Sequence, residues 1–163
     1  MLLPFTDGLT RVGKFDAESC FLADRHYSRQ SVGGNQFMPP GRTMVLRDCA
    51  GLVVFGWLYQ EKRDDGQRGI NCSIFRNESD RLSIEIILEA EEMAFAEWNE
   101  RRLFTYIDPS KLATRKRRGA EYCPWPPGRC FREAGWKPLV HKDGTPHRSK
   151  SGLHLLVKLL KTS

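Results

Sequence analysis

Two hydrophobic periods divide the middle of this chain. From residue 43 the stretch "TMVLRDCAGLVVFGWLYQ" carries two apolar runs around a polar break at Asp48–Gly51, which predicts two strands joined by a tight turn. Leu52 to Leu58 is nearly all apolar, so the second of these strands is expected at the centre of a sheet. A charged loop, "EKRDDGQRG", leads to a third strand, "INCSIF". The period then changes. Ile84, Ile87, Leu88, Ala94, Phe95 and Trp98 recur near helical spacing and define a buried face, while Glu85, Glu89, Glu92 and Glu97 fall on a side expected to be solvated. Ser79 or Asp80 is the expected N-cap, since either side chain can accept from a first-turn amide. "RLFTYID" is the next strand and ends at Asp108 and Pro109.

The flanks are shorter elements. "FDAESCFLADRHYS" reads as a short helix capped by Asp16 and ending near His26; "RQSVGGNQFMPPGR" follows as a loop. "PSKLATRKRRGAEYCPWPPG" is an irregular, basic stretch. "GRCFREAGW" predicts a short helix closed by Gly135, and "KPLV" and "LHLLVKLL" predict two last strands separated by the polar loop His141–Ser151. Strands and helices alternate only in the middle. The expected class is therefore α/β of the α+β kind: a mixed, mostly antiparallel sheet around a central strand–helix–strand unit, with flanking helices. One domain over residues 1–163 is expected, with an N-terminal helix and loop at 1–42, a core at 43–110 and a C-terminal helix and strands at 111–163.

Composition narrows the class. No apolar run approaches the roughly 18–20 residues that cross a membrane, and "MLLPFTDGL" lacks the basic start of a secretory signal, so a soluble, cytoplasmic protein is expected. Five cysteines, an odd and scattered set, are expected to be reduced thiols. Cys123, Cys130, His141 and His147 do not follow a usual zinc-finger spacing, and no metal is expected. A net charge of +6 and a pI near 9.2 favour an anionic partner, either nucleic acid or a phosphorylated cofactor.

The candidate chemistry gathers at the start of the long helix. Its exposed amides and positive dipole end suit a phosphate, and Arg76 and Arg81 flank it with Asn77, Ser79 and Ser83 between and beside them. The alternative is a surface turn whose arginines pair with Glu78, Asp80 or Glu85. His26 can serve as a general base or be structural; Tyr27 can donate, stack on a flat base or simply pack. Asp108 can accept a proton, orient His26, or only form the turn before Pro109. The densest basic cluster, Arg115, Lys116, Arg117 and Arg118, with Tyr122, Trp125 and Trp136 near in sequence, suits a nucleic-acid backbone.

In this element order, "SIFRNESDRLSIEIILEAEEMAFAEW", "LFTYIDP" and "GRCFREAGWKP" resemble the GCN5-related N-acetyltransferase (GNAT) superfamily over roughly residues 40 to 160. The resemblance implies an acetyl-CoA or related acyl-CoA cofactor, held at Arg76, Asn77, Ser79, Arg81 and Ser83, with His26, Tyr27 and Asp108 at the reaction centre. The loop "RNESDR" departs from the superfamily's usual Arg/Gln-x-x-Gly-x-Gly/Ala, and Cys130 and Phe131 stand where many members carry a tyrosine. "HYS" at 26–28, the "RN-x-x-S"-like loop at 76–79 and the Tyr-x-Asp strand end at 106–108 are similar to the Mom DNA-modification proteins of Mu-like phages. That resemblance implies modification of the exocyclic amine of adenine in DNA, in a bacterial host's cytoplasm, with the target base flipped out. Two alternatives stay open: an N-acetyltransferase acting on a small amine or a protein, and a non-enzymatic nucleic-acid-binding protein.

Overall fold

The computed structural model describes residues 8–26, 32–111, 115–117, 120–122 and 127–161, with the backbone alone at 111, 115–117 and 120–122. The elements in chain order are β1 (Thr10–Val12), α1 (Ala17–Ala23), β2 (Arg42–Arg47), β3 (Val53–Gln60), β4 (Gly69–Asn77), α2 (Ser83–Trp98), β5 (Arg102–Ile107), a 3-10 turn at Pro109–Lys111, β6 (Arg115–Arg117), β7 (Ala120–Tyr122), α3 (Arg129–Glu133), β8 (Lys137–Pro138) and β9 (His154–Leu159). Seven strands form one sheet in the order β1-β2-β3-β4-β5-β9-β8; β6 and β7 pair separately. Every described pairing in the sheet is antiparallel except β4 with β5. The α2 helix makes that parallel crossover. The class is thus α+β, with a mostly antiparallel open sheet.

Local chemistry explains the strongest elements. The Asp48 carboxylate accepts from the amides of Leu52 and Val53 at 2.8 and 3.0 Å, closing the turn between β2 and β3. Val53 to Leu58 are all buried, so β3 is central, as the apolar run predicted. Gly69 opens β4 with φ +125°, and a Cβ there would run into the Arg102 carbonyl. Asp16 caps α1 by accepting from the Ser19 amide at 3.0 Å, as expected.

The sheet separates two apolar clusters. On one face α2 and α3 pack with Phe55, Trp57, Ile70, Leu103 and Trp136. On the other, α1 contributes Leu22 and Ala23 against Val45, Val54, Leu58, Ile74 and Met38. Alternation along β4 would send even-numbered residues to the α2 face throughout. It does so at Ile70 and Cys72, but Ile74 lies in the α1 cluster and Phe75 packs against the α2 cluster. The cause is a bulge: Cys72 pairs with Trp57 and Ile74 with Gly56, leaving Ser73 extra. The β4–β5 ladder ends at the same place. It runs from Ile70↔Leu103 to Cys72↔Thr105, while β4 continues to Asn77 and β5 to Ile107. The Thr105 hydroxyl donates to the Cys72 carbonyl at 2.9 Å where the ladder stops.

Several expectations are corrected. The N-cap of α2 is Leu82, with no side-chain cap bond, because Ser79 is engaged in the turn itself: Asn77 Oδ1 accepts from its amide and hydroxyl. Leu88 is 42% exposed, and Glu91 instead sits in the buried face at 4%. Glu89 is not simply solvated; it accepts from the Leu9 amide at 2.6 Å and from Arg81 at 2.9 Å. The β1 strand was not anticipated, nor was the β6–β7 hairpin within the stretch read as irregular.

Glu91 ties α2 to the C-terminal elements. It accepts from Trp136 Nε1 at 2.7 Å and from Lys158 Nζ at 2.7 Å, and Lys158 also donates to the Ala134 carbonyl at 2.7 Å. Burial pushes the Glu91 carboxyl upward, opposed by the bonds from Lys158 and Trp136. Removing one member of such a pair strands the other. Glu91→Ala is expected to lower unfolding free energy by about 3 kcal/mol, and Glu91→Leu combined with Lys158→Met to recover a large part of that loss. Urea denaturation of the two variants checks both.

Candidate functional site at the parting of the parallel strands

The bulge at Ser73 aims the end of β4. Arg76 pairs with Val54, a residue of the α1-side cluster, so its guanidinium points toward α1. There its Nη1 donates to the Arg25 carbonyl at 2.8 Å and its Nε to Glu78 at 2.6 Å. Arg25 reaches the same carboxylate through two bonds, at 2.9 and 3.1 Å. Held by Arg25 and Arg76, Glu78 has its pKa depressed below the ordinary carboxylate value.

The rest of the turn is equally self-contained. Asn77 Nδ2 donates to the Arg81 carbonyl at 2.8 Å and to Ser83 Oγ at 3.1 Å. Ser79 Oγ accepts from the Arg81 amide at 3.2 Å, and the Arg81 guanidinium pairs with Glu89. Of the five expected cofactor residues, Asn77, Ser79, Arg81 and Ser83 are joined by hydrogen bonds in one network, while Arg76 belongs to a separate group with Glu78 and Arg25. The arginines pair with carboxylates, as the alternative reading anticipated, though Glu89 rather than Glu85 or Asp80 takes Arg81. The first-turn amides of α2 lack an intrahelical partner by helix geometry, and Leu82, at the N-cap, gives them no side-chain bond. That leaves an anion-receptive helix start, opposed by Glu85 in its first turn.

His26 closes α1, its amide donating to the Ala23 carbonyl at 2.8 Å. It is half-buried beside Arg76. Burial and then the Arg76 charge push its pKa down to about 4, so the imidazole is neutral at pH 7. Asp108 follows β5, and its Oδ1 accepts from the amide and hydroxyl of Ser110 at 2.9 and 2.6 Å, the turn-forming role weighed for it. The structure thus brings His26 together with Arg76 and the α2 turn, and sets Asp108 at the end of the other parting strand. Tyr27 and Arg118 lie outside the described residues. Arg115, Lys116 and Arg117 form β6, with their side chains outside the description.

Two features escaped the sequence reading. Asn71 is buried in β4 next to the parting; its Oδ1 has no hydrogen-bond partner, and its Nδ2 reaches Ser73 Oγ only at 3.5 Å. An asparagine inside an otherwise apolar strand was the available signal. Tyr106 donates to Asp65, and the Arg63 guanidinium lies 4.9 Å above its ring. Burial and Asp65 raise the phenol's pKa. Arg102 fastens the same loop to β5 through the Arg68 carbonyl and Gln67. Nothing in the local sequence links Asp65 to Tyr106.

Among the described residues no group of three or more His, Cys, Asp or Glu side chains is arranged to hold a metal, and no helix is long and apolar enough to cross a membrane. Cys20, Cys49, Cys72 and Cys130 form no disulfide. In comparisons with family models, curated proteins and solved structures, nothing matches the chain.

The depressed pKa of His26 has a sign. The unfolded chain protonates this histidine near its ordinary value of 6.5, whereas the folded protein resists until about pH 4. Its contribution is complete above about pH 6.5 and is lost as pH falls from there toward 4. His154, also held down, acts in the same sense. Urea midpoints measured across this window are expected to drop less steeply in His26→Gln than in the wild type.

Proposed function

We propose that this chain is an acyl-CoA-dependent transferase of the GNAT type, and that its acceptor is the exocyclic amine of adenine in DNA, as in the Mom-like branch it resembles. The observation that carries the transferase part is the parting of β4 from β5 after Cys72 and Thr105, with β4 leading into the side-chain-uncapped start of α2. An opening between parallel strands admits an extended ligand arm, and the helix start receives its phosphates. Uncapped amides fit such a group; use of Arg76 or Arg81 requires release of Glu78 or Glu89.

An acyl-CoA supplies an activated thioester. The protein's part is to hold the acceptor and take its proton. Neutral His26, beside the α2 turn, is the base; Tyr27 and Asp108 complete the reaction centre. An adenine amine is a weak nucleophile, so close positioning of the reactants carries much of the rate. The basic residues Arg115, Lys116, Arg117 and Arg118 hold the DNA backbone.

A non-enzymatic nucleic-acid binder is the second reading, favoured by the placement of Glu78 between Arg25 and Arg76. Calorimetry with acetyl-CoA separates the two. The transferase reading expects binding heat and a raised Tm; absence of both leaves the binder. Mass spectrometry of nucleosides from DNA of cells expressing the protein is expected to show a modified adenine that His26→Gln abolishes. An unmodified profile from abundant, folded protein rejects the DNA-modifying activity.

A further inference from the structure

Most of the arginines around the sheet are held by carboxylates: Arg11 by Glu97, Arg47 by Asp16 and Glu18, Arg81 by Glu89, Arg129 by Glu133. The C-terminal hairpin end is different. Arg132 on α3 donates through Nε to the Pro127 carbonyl at 2.8 Å, and Arg148 through Nη1 to the His147 carbonyl at 3.3 Å. Neither forms an ion pair among the described residues. Arg148 bridges to His154 across the hairpin, and His154 pairs with Ile107, the last residue of β5. His154 thus lies opposite the residue before Asp108, the hairpin brings Arg148 alongside it, and Arg132 on α3 is close enough for its charge to act on both.

They repel one another. Burial and then Arg148 lower the Arg132 pKa, and burial, Arg148 and Arg132 lower that of His154. Of the acids on these elements, Glu133 accepts from Arg129 and Asp143 from the amide and hydroxyl of Thr145, while Asp108, after β5, accepts from the amide and hydroxyl of Ser110. Lys142 and Lys150, both exposed in the same hairpin, add charge of the same sign. One backbone carbonyl orients each guanidinium, and each retains further N–H donors beyond that one bond. Guanidiniums that form no ion pair among the described residues are stabilised by an anion from outside, and a row of cations suits a repeating anion.

We propose that Arg132, Arg148 and His154, extended by Lys142 and Lys150, form a second nucleic-acid surface that grips the phosphate backbone beside the C-terminal end of β5. It rests on the nucleic-acid part of the preceding reading and adds the place where the strand runs. This surface holds the backbone on the β9 side of β5 while the base enters the parting on the β4 side.

Fluorescence anisotropy of the full chain with a labelled duplex, titrated across salt concentrations, tests this. Arg132→Glu with Arg148→Glu is expected to weaken binding at least tenfold and to reduce the slope of log K against log salt by about 2. Arg148→Glu alone, on the exposed hairpin, is expected to give a smaller loss in the same direction with an unchanged Tm. Acetyl-CoA binding heat is expected to stay as in wild type. Wild-type affinity and salt slope in the double variant overturn the surface while leaving the transferase reading intact. So does displacement of the duplex by millimolar inorganic phosphate at constant ionic strength, which marks a small-anion site, or preferential binding to phosphatidylserine vesicles. Duplex binding by neither wild type nor variant overturns both the surface and the DNA part of the proposed function.

Discussion

One extra residue in β4 governs the geometry of this protein. Ser73 is left over where Cys72 pairs with Trp57 and Ile74 with Gly56. Side chains alternate with a period of two, so a single insertion transfers everything after it to the opposite face. Before the bulge, Ile70 and Cys72 pack under α2; after it, Ile74 and Arg76 face α1. Arg76 meets Arg25 and His26 for this reason alone. The same bulge coincides with the end of the parallel ladder, where Thr105 takes the Cys72 carbonyl. The parting of the strands begins at this irregularity, and the face it gives Arg76 puts that charge beside the already buried His26.

Charge is organised in two opposite ways on this frame. At the α2 turn, Glu78 and Glu89 hold Arg25, Arg76 and Arg81 in ion pairs, so the turn carries its own counter-charges. Along the C-terminal hairpin, Arg132 and Arg148 have backbone carbonyls as partners and each other as neighbours. The first arrangement stabilises a shape; the second sets like charges against one another. Between them the aromatic packing of Trp57 against Trp136, 6.3 Å apart and nearly parallel, joins the central strand to the corner after α3. Glu91 fastens that corner from α2 through Trp136 and Lys158.

Much of the fold was readable from pattern. The apolar run Leu52 to Leu58 announced a central strand, and Asp16 announced the start of α1. Gly135 closes α3 with φ +98°, as its position after an amphipathic turn suggested. The short partners were not readable. The β1 strand has three residues, too few for alternation to register, and exists because β2 offers an edge. Leu88 looked apolar enough for the core, yet the face of α2 is set by what packs on it, and Glu91 takes a core position because Trp136 and Lys158 supply its bonds.

By itself the sequence determined the strand–helix–strand centre, the order of its main elements and the clustering of Arg76, Asn77, Ser79, Arg81 and Ser83 in one turn, because these depend on contacts within a few residues. Only the tertiary structure decided where β4 bulges, which face Arg76 takes, that Glu78 lies between two guanidiniums, and that Arg148 and His154 lie side by side next to β5. Each of those rests on residues far apart in the chain, where neither hydrophobic period nor motif carries information about which side chain will arrive from the neighbouring strand.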